Sequence, residues 1–265
     1  MTERISEYDN NRNGFGITYG NSLDTHAAAY VPWFDDYDTI LDAMKNAPVL
    51  LSGEPGAGKS HIAEDIIVAS RIMGKESLQI WCHINGSSTK GRGMTERLVR
   101  QLLQARADGV LVLDNIDHAV YTGGNRKNKR SNHKALEYGK FLGEVMHEAT
   151  SNDVQILATG HTPQWRQNHS RIDNVEVVFT AMLPEDMQEL QFTGVMSESN
   201  VQRILEQRGM HAEDATIIAR RLRTLGELSF RNAYHITPAE LTQAAIDEAV
   251  LEVSAVKNEK LHGGR

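Results

Sequence analysis

A single cysteine, Cys82, stands in 265 residues, so the chain holds neither an internal disulfide nor a cysteine-rich zinc site, and a reducing cytoplasm is the expected setting. Long apolar runs are missing too. The most apolar stretches, such as GVLVL from Gly109, fall far short of the roughly 20 residues that span a bilayer. The N-terminal MTERISEYDN lacks the apolar core of a secretory leader, so no membrane partner is expected. Positive charge is in deficit: 28 Lys and Arg against 35 Asp and Glu give a net charge of −7. That balance disfavours a dedicated polyanion binder and leaves room for a local basic patch. With 40% hydrophobic and 24% charged residues, the composition excludes a disordered or fibrous chain.

What is present is an alternation of periods. Residues 1–31, with DNNRNGFGITYGNS, show no sustained pattern and read as an irregular N-terminal arm. WFDDYDTILDAMKNA then places Tyr37, Ile40, Leu41 and Met44 at helical spacing before the apolar run PVLLS. KSHIAEDIIVASRIMG aligns Ile62, Ala63, Ile66, Ile67 and Ser70 on one helical face. SLQIWCHI, GVLVLD, VQILATG and NVEVVFT read as strands, with helices in MTERLVRQLLQARA and KALEYGKFLGEVMHEAT. Such uniformly apolar strands suit a sheet covered on both faces, and alternation with helices implies parallel pairing. The expected fold is therefore α/β, a three-layer αβα domain over residues 32–184.

Past Leu183-Pro184 no strand-like run is read, and a small all-helical lid is expected over 185–256, with 257–265 a frayed tail. Ser199 with Gln202, and Thr237-Pro238 with Glu240, fit capping boxes at two of its helix starts.

The chemistry begins at GEPGAGKS. Gly53, Glu54, Pro55, Gly56, Ala57, Gly58, Lys59 and Ser60 satisfy G-x-x-x-x-G-K-[ST], between a strand and an amphipathic helix that continues with His61. Glycines let successive backbone N–H groups turn inward around phosphate oxygens, and the helix N-terminus behind them adds its positive dipole. Lys59 would reach the β and γ phosphates, and Ser60 would ligate Mg²⁺. The magnesium shell also needs a carboxylate at the end of a neighbouring strand, which VLVLD supplies in Asp114.

Taken in order, Gly53 to Ser60, VLVLDNID, VQILATGHTP, SRIDNVEVVFTAMLPED and the helical segment with LSFRNAY resemble the AAA+ ATPase superfamily of P-loop NTPases, over about Val31 to Val256. The resemblance implies an αβα domain and helical lid that clasp ATP and Mg²⁺, and self-assembly into a ring or filament, commonly a hexamer, with an arginine entering the neighbour's site. Lys59 and Ser60 match the Walker A lysine and serine, and Asp114 the Walker B aspartate. Asn115 departs, standing where the family has the Glu that activates water; it can hydrogen-bond water but not take its proton, which implies slow turnover. Asp117 is the nearest spare carboxylate. Thr159 or His161 matches the polar sensor after the next strand. Arg171 resembles the arginine finger, with Arg166, read as a surface residue, as competitor. Arg231 matches the lid arginine that senses the γ phosphate.

Arg126, Lys127, Lys129, Arg130 and Lys134 make a cationic stretch expected to be a loop, open either to solvent or to nucleic acid phosphates; STKGRG from Ser88 is a smaller candidate of that kind. The expected function is an ATPase that couples ATP–Mg²⁺ binding and hydrolysis to remodelling or loading of a macromolecular client, DNA or protein. The alternative is a hydrolysis-poor ATP-binding switch whose nucleotide state controls assembly. A small-molecule P-loop kinase ranks below both, because it would insert its lid between sheet elements.

Overall fold

The structure, a computed structural model, describes residues 5–7, 16–20, 34–82, 97, 99–120, 129–170 and 174–262. Its centre is a parallel sheet of β3 (Val49–Ser52), β4 (Glu76–Trp81), β5 (Gly109–Asp114), β6 (Gln155–Gly160) and β7 (Gln188–Gln191). β1 (Ile5–Glu7) and β2 (Gly16–Gly20) add an antiparallel pair to one side, giving the order β1-β2-β4-β5-β6-β3-β7. The arm expected to be irregular thus contributes two backbone-paired strands, Gly16–Gly20 running opposite Ser77–Trp81.

The helices are α1 (Tyr37–Asn46), α2 (Lys59–Ile72), α3 (Lys129–Ser151), α4 (Pro163–His169), α5 (Val175–Thr180), α6 (Glu198–Gln207), α7 (Ala212–Leu225), α8 (Phe230–His235) and α9 (Gln243–His262), with a helical stretch at 99–103. Strand side chains alternate between two cores. Val49, Leu51, Val110, Val112 and Leu157 join α1, α2 and the C-terminal helices. Leu50, Leu78, Ile80, Leu111, Leu113, Ile156 and Ala158 pack on Leu102, Leu142, Met146 and Phe179. The result is the expected three-layer αβα domain followed by helices.

Two assignments are corrected. NVEVVFT is a helix, not a strand: Val175 and Phe179 are buried four residues apart while Val177 is 69% exposed, which is helical and not strand periodicity. Its β-branched residues mimic a strand only by composition. The fifth parallel strand is instead QELQ, beyond the point where no strand was read. Among the described residues it pairs with β3 alone, and its largely exposed positions are polar, as suits an edge strand.

Smaller differences concern helix ends. Ser197, not Ser199, caps α6, its Oγ accepting from the Asn200 N–H. Thr242, not Thr237, accepts from Ala245 N–H at the start of α9; the earlier Thr237 hydroxyl donates to the His235 carbonyl. α9 runs on to His262, so most of the tail continues the helix. The basic stretch is helical from Lys129, placing Lys129, Arg130 and Lys134 in α3, while Arg126 and Lys127 lie outside the described residues.

The C-terminal helices are tied to the first part by more than apolar packing. Asp35 accepts from the Ser197 N–H at 2.6 Å and the Asn200 side-chain amide at 2.7 Å. Within the helices, Arg208 donates to the Ala233 and Ile236 carbonyls, and Arg221 forms a forked pair with Asp247.

The helical assignment of 175–180 has a direct check. Val177→Lys should change unfolding free energy by no more than about 0.5 kcal/mol in urea titration, as at an exposed helical position. Phe179→Ala, which empties a core position, should cost about 3–5 kcal/mol.

Candidate functional site

Three strands end side by side in the order β5, β6, β3, and the loop of residues 53–58 leaves β3 at that edge. Gly53 N–H donates to the Gly160 carbonyl at 3.3 Å, stitching the loop's first residue to the end of β6. α2 begins at Lys59; the Gly58 carbonyl accepts from the His61 and Ile62 N–H groups, and the amides of Lys59 and Ser60, at the helix's positive end, face the loop side. Gly56 (φ +77°) and Gly58 (φ +99°) hold left-handed backbone that side chains rarely tolerate. Space reinforces the requirement: a Cβ on Gly58 would sit 2.6 Å from the Phe34 ring, and one on Gly56 would strike the Arg231 guanidinium.

Lys59 is buried, and its Nζ donates to the carbonyls of Gly53 (2.8 Å) and Glu54 (2.9 Å). Burial pulls its pKa down to about 8, although the carboxylates of Asp117, Asp114 and Glu54 oppose that fall. The ammonium therefore sits inside a ring of acceptors at the C-terminal edge of the sheet.

Asp114 ends β5 and is buried. Thr159, at the penultimate position of β6, donates its hydroxyl to one Asp114 carboxylate oxygen and accepts from the Asn115 N–H at 2.9 Å. Thr159 thus orients both the aspartate and the turn that follows it. Asn115 takes a left-handed backbone (φ +57°), which asparagine adopts more readily than most residues. A buried carboxylate with one oxygen engaged keeps capacity for a hard cation, and Ser60 offers a hydroxyl in the first turn of α2. The donor set of Ser60 and Asp114 fits Mg²⁺. Burial, and after it the charges of Asp114 and Asp65, push the nearby Glu64 carboxyl above its usual range.

A second pair stands beside the first. Asp117 is fully buried, and one of its carboxylate oxygens accepts from the His161 N–H at 3.0 Å and lies 2.7 Å from His161 Nδ1. The His161 ring stacks on Trp165 at 3.9 Å. Arg166 is not a surface arginine. It is 2% exposed, forks onto Glu176, donates to the His161 carbonyl at 2.5 Å and lies over the Phe179 ring. A guanidinium so engaged has no fork left for a neighbour's phosphate. Arg171 lies outside the described residues.

From the C-terminal helices, Arg231 at the start of α8 donates to the Pro55 carbonyl on the loop. His61, one turn into α2, packs on Phe230 at 4.4 Å and Tyr234 at 5.4 Å, and burial lowers its pKa. Phe34 meets Phe230 and Phe192 at 5.4 and 5.1 Å. These aromatics, and Glu64, escape a motif-based reading. Phe230 and Tyr234 have a signal in their four-residue spacing within SFRNAY, whereas Phe34 and Phe192 have none, because their proximity exists only in the fold.

The model of a protein family described as ATPase family associated with various cellular activities (AAA) matches residues 49–181, half of the chain. No curated protein matches the sequence. Among solved structures, a chain in "Structure of E. coli MS115-1 HORMA:CdnC:Trip13 complex" is similar at 14% identity and a TM-score of 0.44, over 81% of this chain and 77% of that one.

The lowered pKa of Lys59 has a measurable sign. With the folded value near 8 and the free lysine value at 10.5, the folded state binds fewer protons between them, so the ligand-free protein should gain stability as pH rises through that window. A bound triphosphate favours the ammonium. ATP binding at about pH 9 should therefore take up roughly one proton per site, read as a dependence of calorimetric enthalpy on buffer ionisation heat, and at about pH 6.5 that uptake should vanish.

Proposed function

The chain belongs to the AAA family of ATPases, and on that premise we propose that it binds ATP with Mg²⁺ between residues 53–60 and α8 and uses the bound nucleotide to act on a macromolecular client. The observation that carries the reading is the convergence on one sheet edge of the loop ammonium of Lys59, the buried carboxylate of Asp114 and Arg231 of the C-terminal helices. Backbone amides and Lys59 would hold the phosphates, Ser60 and Asp114 would hold the metal, and the metal would neutralise charge on the transferred phosphoryl group. Thr159 keeps the Asp114 carboxylate in place. Arg231, already on the loop, would report nucleotide to the helices that follow β7.

Assembly belongs to the same proposal. Arg171 supplies the cation that a neighbouring copy's site needs, so the working form is a ring or filament, a hexamer in the simplest case. The client is DNA or protein. Arg126, Lys127, Lys129 and Arg130 are the residues that would meet phosphates in the DNA case. One observation favours a second reading, in which nucleotide state alone controls assembly: Asn115 cannot take a proton from water.

Phosphate release with ATP and Mg²⁺, measured with and without DNA, separates the two. Under the first reading wild type turns over, Lys59→Ala abolishes turnover together with nucleotide binding, and Arg171→Ala abolishes turnover while sparing binding. Under the second, wild type binds ATP and changes its light scattering without releasing phosphate. If turnover is DNA-stimulated, reversing Lys127, Lys129 and Arg130 to Glu should remove the stimulation and flatten its salt dependence.

A further inference from the structure

The site lacks a proton acceptor where the family's glutamate would be, yet an imidazole coupled to a buried carboxylate lies one strand away. The geometry points to His161, oriented by Asp117, as the general base that takes the proton from the attacking water, in place of the absent carboxylate at position 115. This rests on the ATPase reading above and names the residue that would do its chemistry.

The first support is the hydrogen bonding. One Asp117 oxygen accepts both the His161 backbone N–H (3.0 Å) and the Nδ1 side of its ring (2.7 Å). An ionised carboxylate can only accept, so Nδ1 donates to it, and in the neutral ring the lone pair is then on Nε2, the tautomer a base requires. The double acceptance also fixes the ring relative to its own backbone. Trp165 stacks on the ring at 3.9 Å with 21° between planes, and Arg166 holds the His161 carbonyl, so the imidazole is positioned from three directions.

Placement is the second support. Asp117 lies under Gly160, where a Cβ would come 3.7 Å from the carboxyl carbon. Gly160 is bonded to Gly53 of the loop, and Thr162 donates to the Glu54 carboxylate at 3.4 Å, so residues 160–162 run along the loop's first two residues. Asp117 is also the carboxylate with the strongest pull on the Lys59 ammonium. The pair therefore stands at the phosphate-facing edge of the sheet. His161 is buried, 7% exposed, so the step requires water to enter beside its ring.

Asp117, His118 and His161 also offer ligand atoms within 4.8 Å of one another, which raises the alternative of a metal ion. The His161 side of that cluster is already engaged, its Nδ1 lying 2.7 Å from the Asp117 carboxylate. His118 Nδ1 is 3.0 Å from the Cys82 carbonyl, a structural use.

In the step itself, an O–H bond of water breaks and its proton passes to His161 Nε2. The water oxygen bonds to the γ phosphorus, and the bond from that phosphorus to the bridging oxygen breaks with its electron pair leaving on ADP. The imidazolium then returns the proton to solvent. The charged and titratable groups facing His161 are Asp117 and His118 from residues 116–120, Arg166 from α4, and Glu54 through Thr162.

The test combines single-turnover phosphate release, calorimetric ATP binding and a pH profile in wild type, His161→Gln and Asp117→Asn. Asparagine in place of Asp117 keeps an acceptor oxygen for the His161 N–H and Nδ1 but removes the negative charge that stabilises the imidazolium formed in the step. The expected result is a loss of about 10²-fold or more in rate for each variant, with ATP affinity and thermal melting retained in His161→Gln. The loss in the double variant should be no larger than in either single one, and the acid limb of the wild-type profile should be missing in His161→Gln. Nitrogen-15 histidine shifts in the intact protein should show His161 protonated at Nδ1. Wild-type turnover matched by His161→Gln overturns the dyad and leaves the ATPase reading standing. ATP binding by wild type with no turnover overturns both. Stoichiometric zinc in the purified protein, lost in His118→Ala, overturns the dyad in favour of a metal centre.

Discussion

Everything around the loop of residues 53–58 depends on keeping one ammonium group inside the protein. Lys59 is stripped of most of its water and would be untenable as a cation without acceptors, so the loop folds two of its own carbonyls onto it while three carboxylates stand within electrostatic reach. The same desolvation makes the site responsive. A multiply charged anion arriving there meets a cation that is poorly screened, and the interaction strengthens as the surroundings dry. The strands serve this arrangement by ending together, and Thr159 converts that alignment into a fixed direction for Asp114.

The C-terminal helices share in the arrangement by direct packing. Phe34 lies beneath Gly58, Phe230 packs on Phe34 and His61, and Arg231 of the same helix reaches Pro55. A shift of α8 therefore alters both sides of the loop at once: its aromatic support from below and its guanidinium partner at Pro55. Because Val201, Ile204, Ile218, Leu222 and Ile246 belong to the core that also contains Ile62 and Val112, such movement is felt by the sheet.

How much of this was legible in the sequence depended on how locally each feature is encoded. GEPGAGKS and the strands GVLVLD and VQILATG were readable because their signals, glycine spacing and continuous apolar runs, lie within a few residues. The buried state of Arg166 was not readable, since it depends on Glu176 ten residues on and on the Phe179 ring. VEVVFT was misread because β-branched composition outweighed a helical burial pattern too short to establish a period. QELQ was missed for the opposite reason: a strand paired on one side needs no apolar signature, so nothing in its composition sets it apart from a loop. Asp117 and His161 were individually visible, but their pairing across 44 residues is a product of adjacent β5 and β6.

QELQ has one more consequence. By covering the outer side of β3, it removes the strand leading into the loop of residues 53–58 from the rim of the sheet. Gln188, Glu189 and Gln191 then face solvent along the new rim. Bare main-chain groups on a strand as apolar as VLLS would template strand addition between molecules, the route by which sheets grow into fibrils. The hydrophilic border acts as a gatekeeper, letting a sticky segment lie next to the functional centre without recruiting copies of itself.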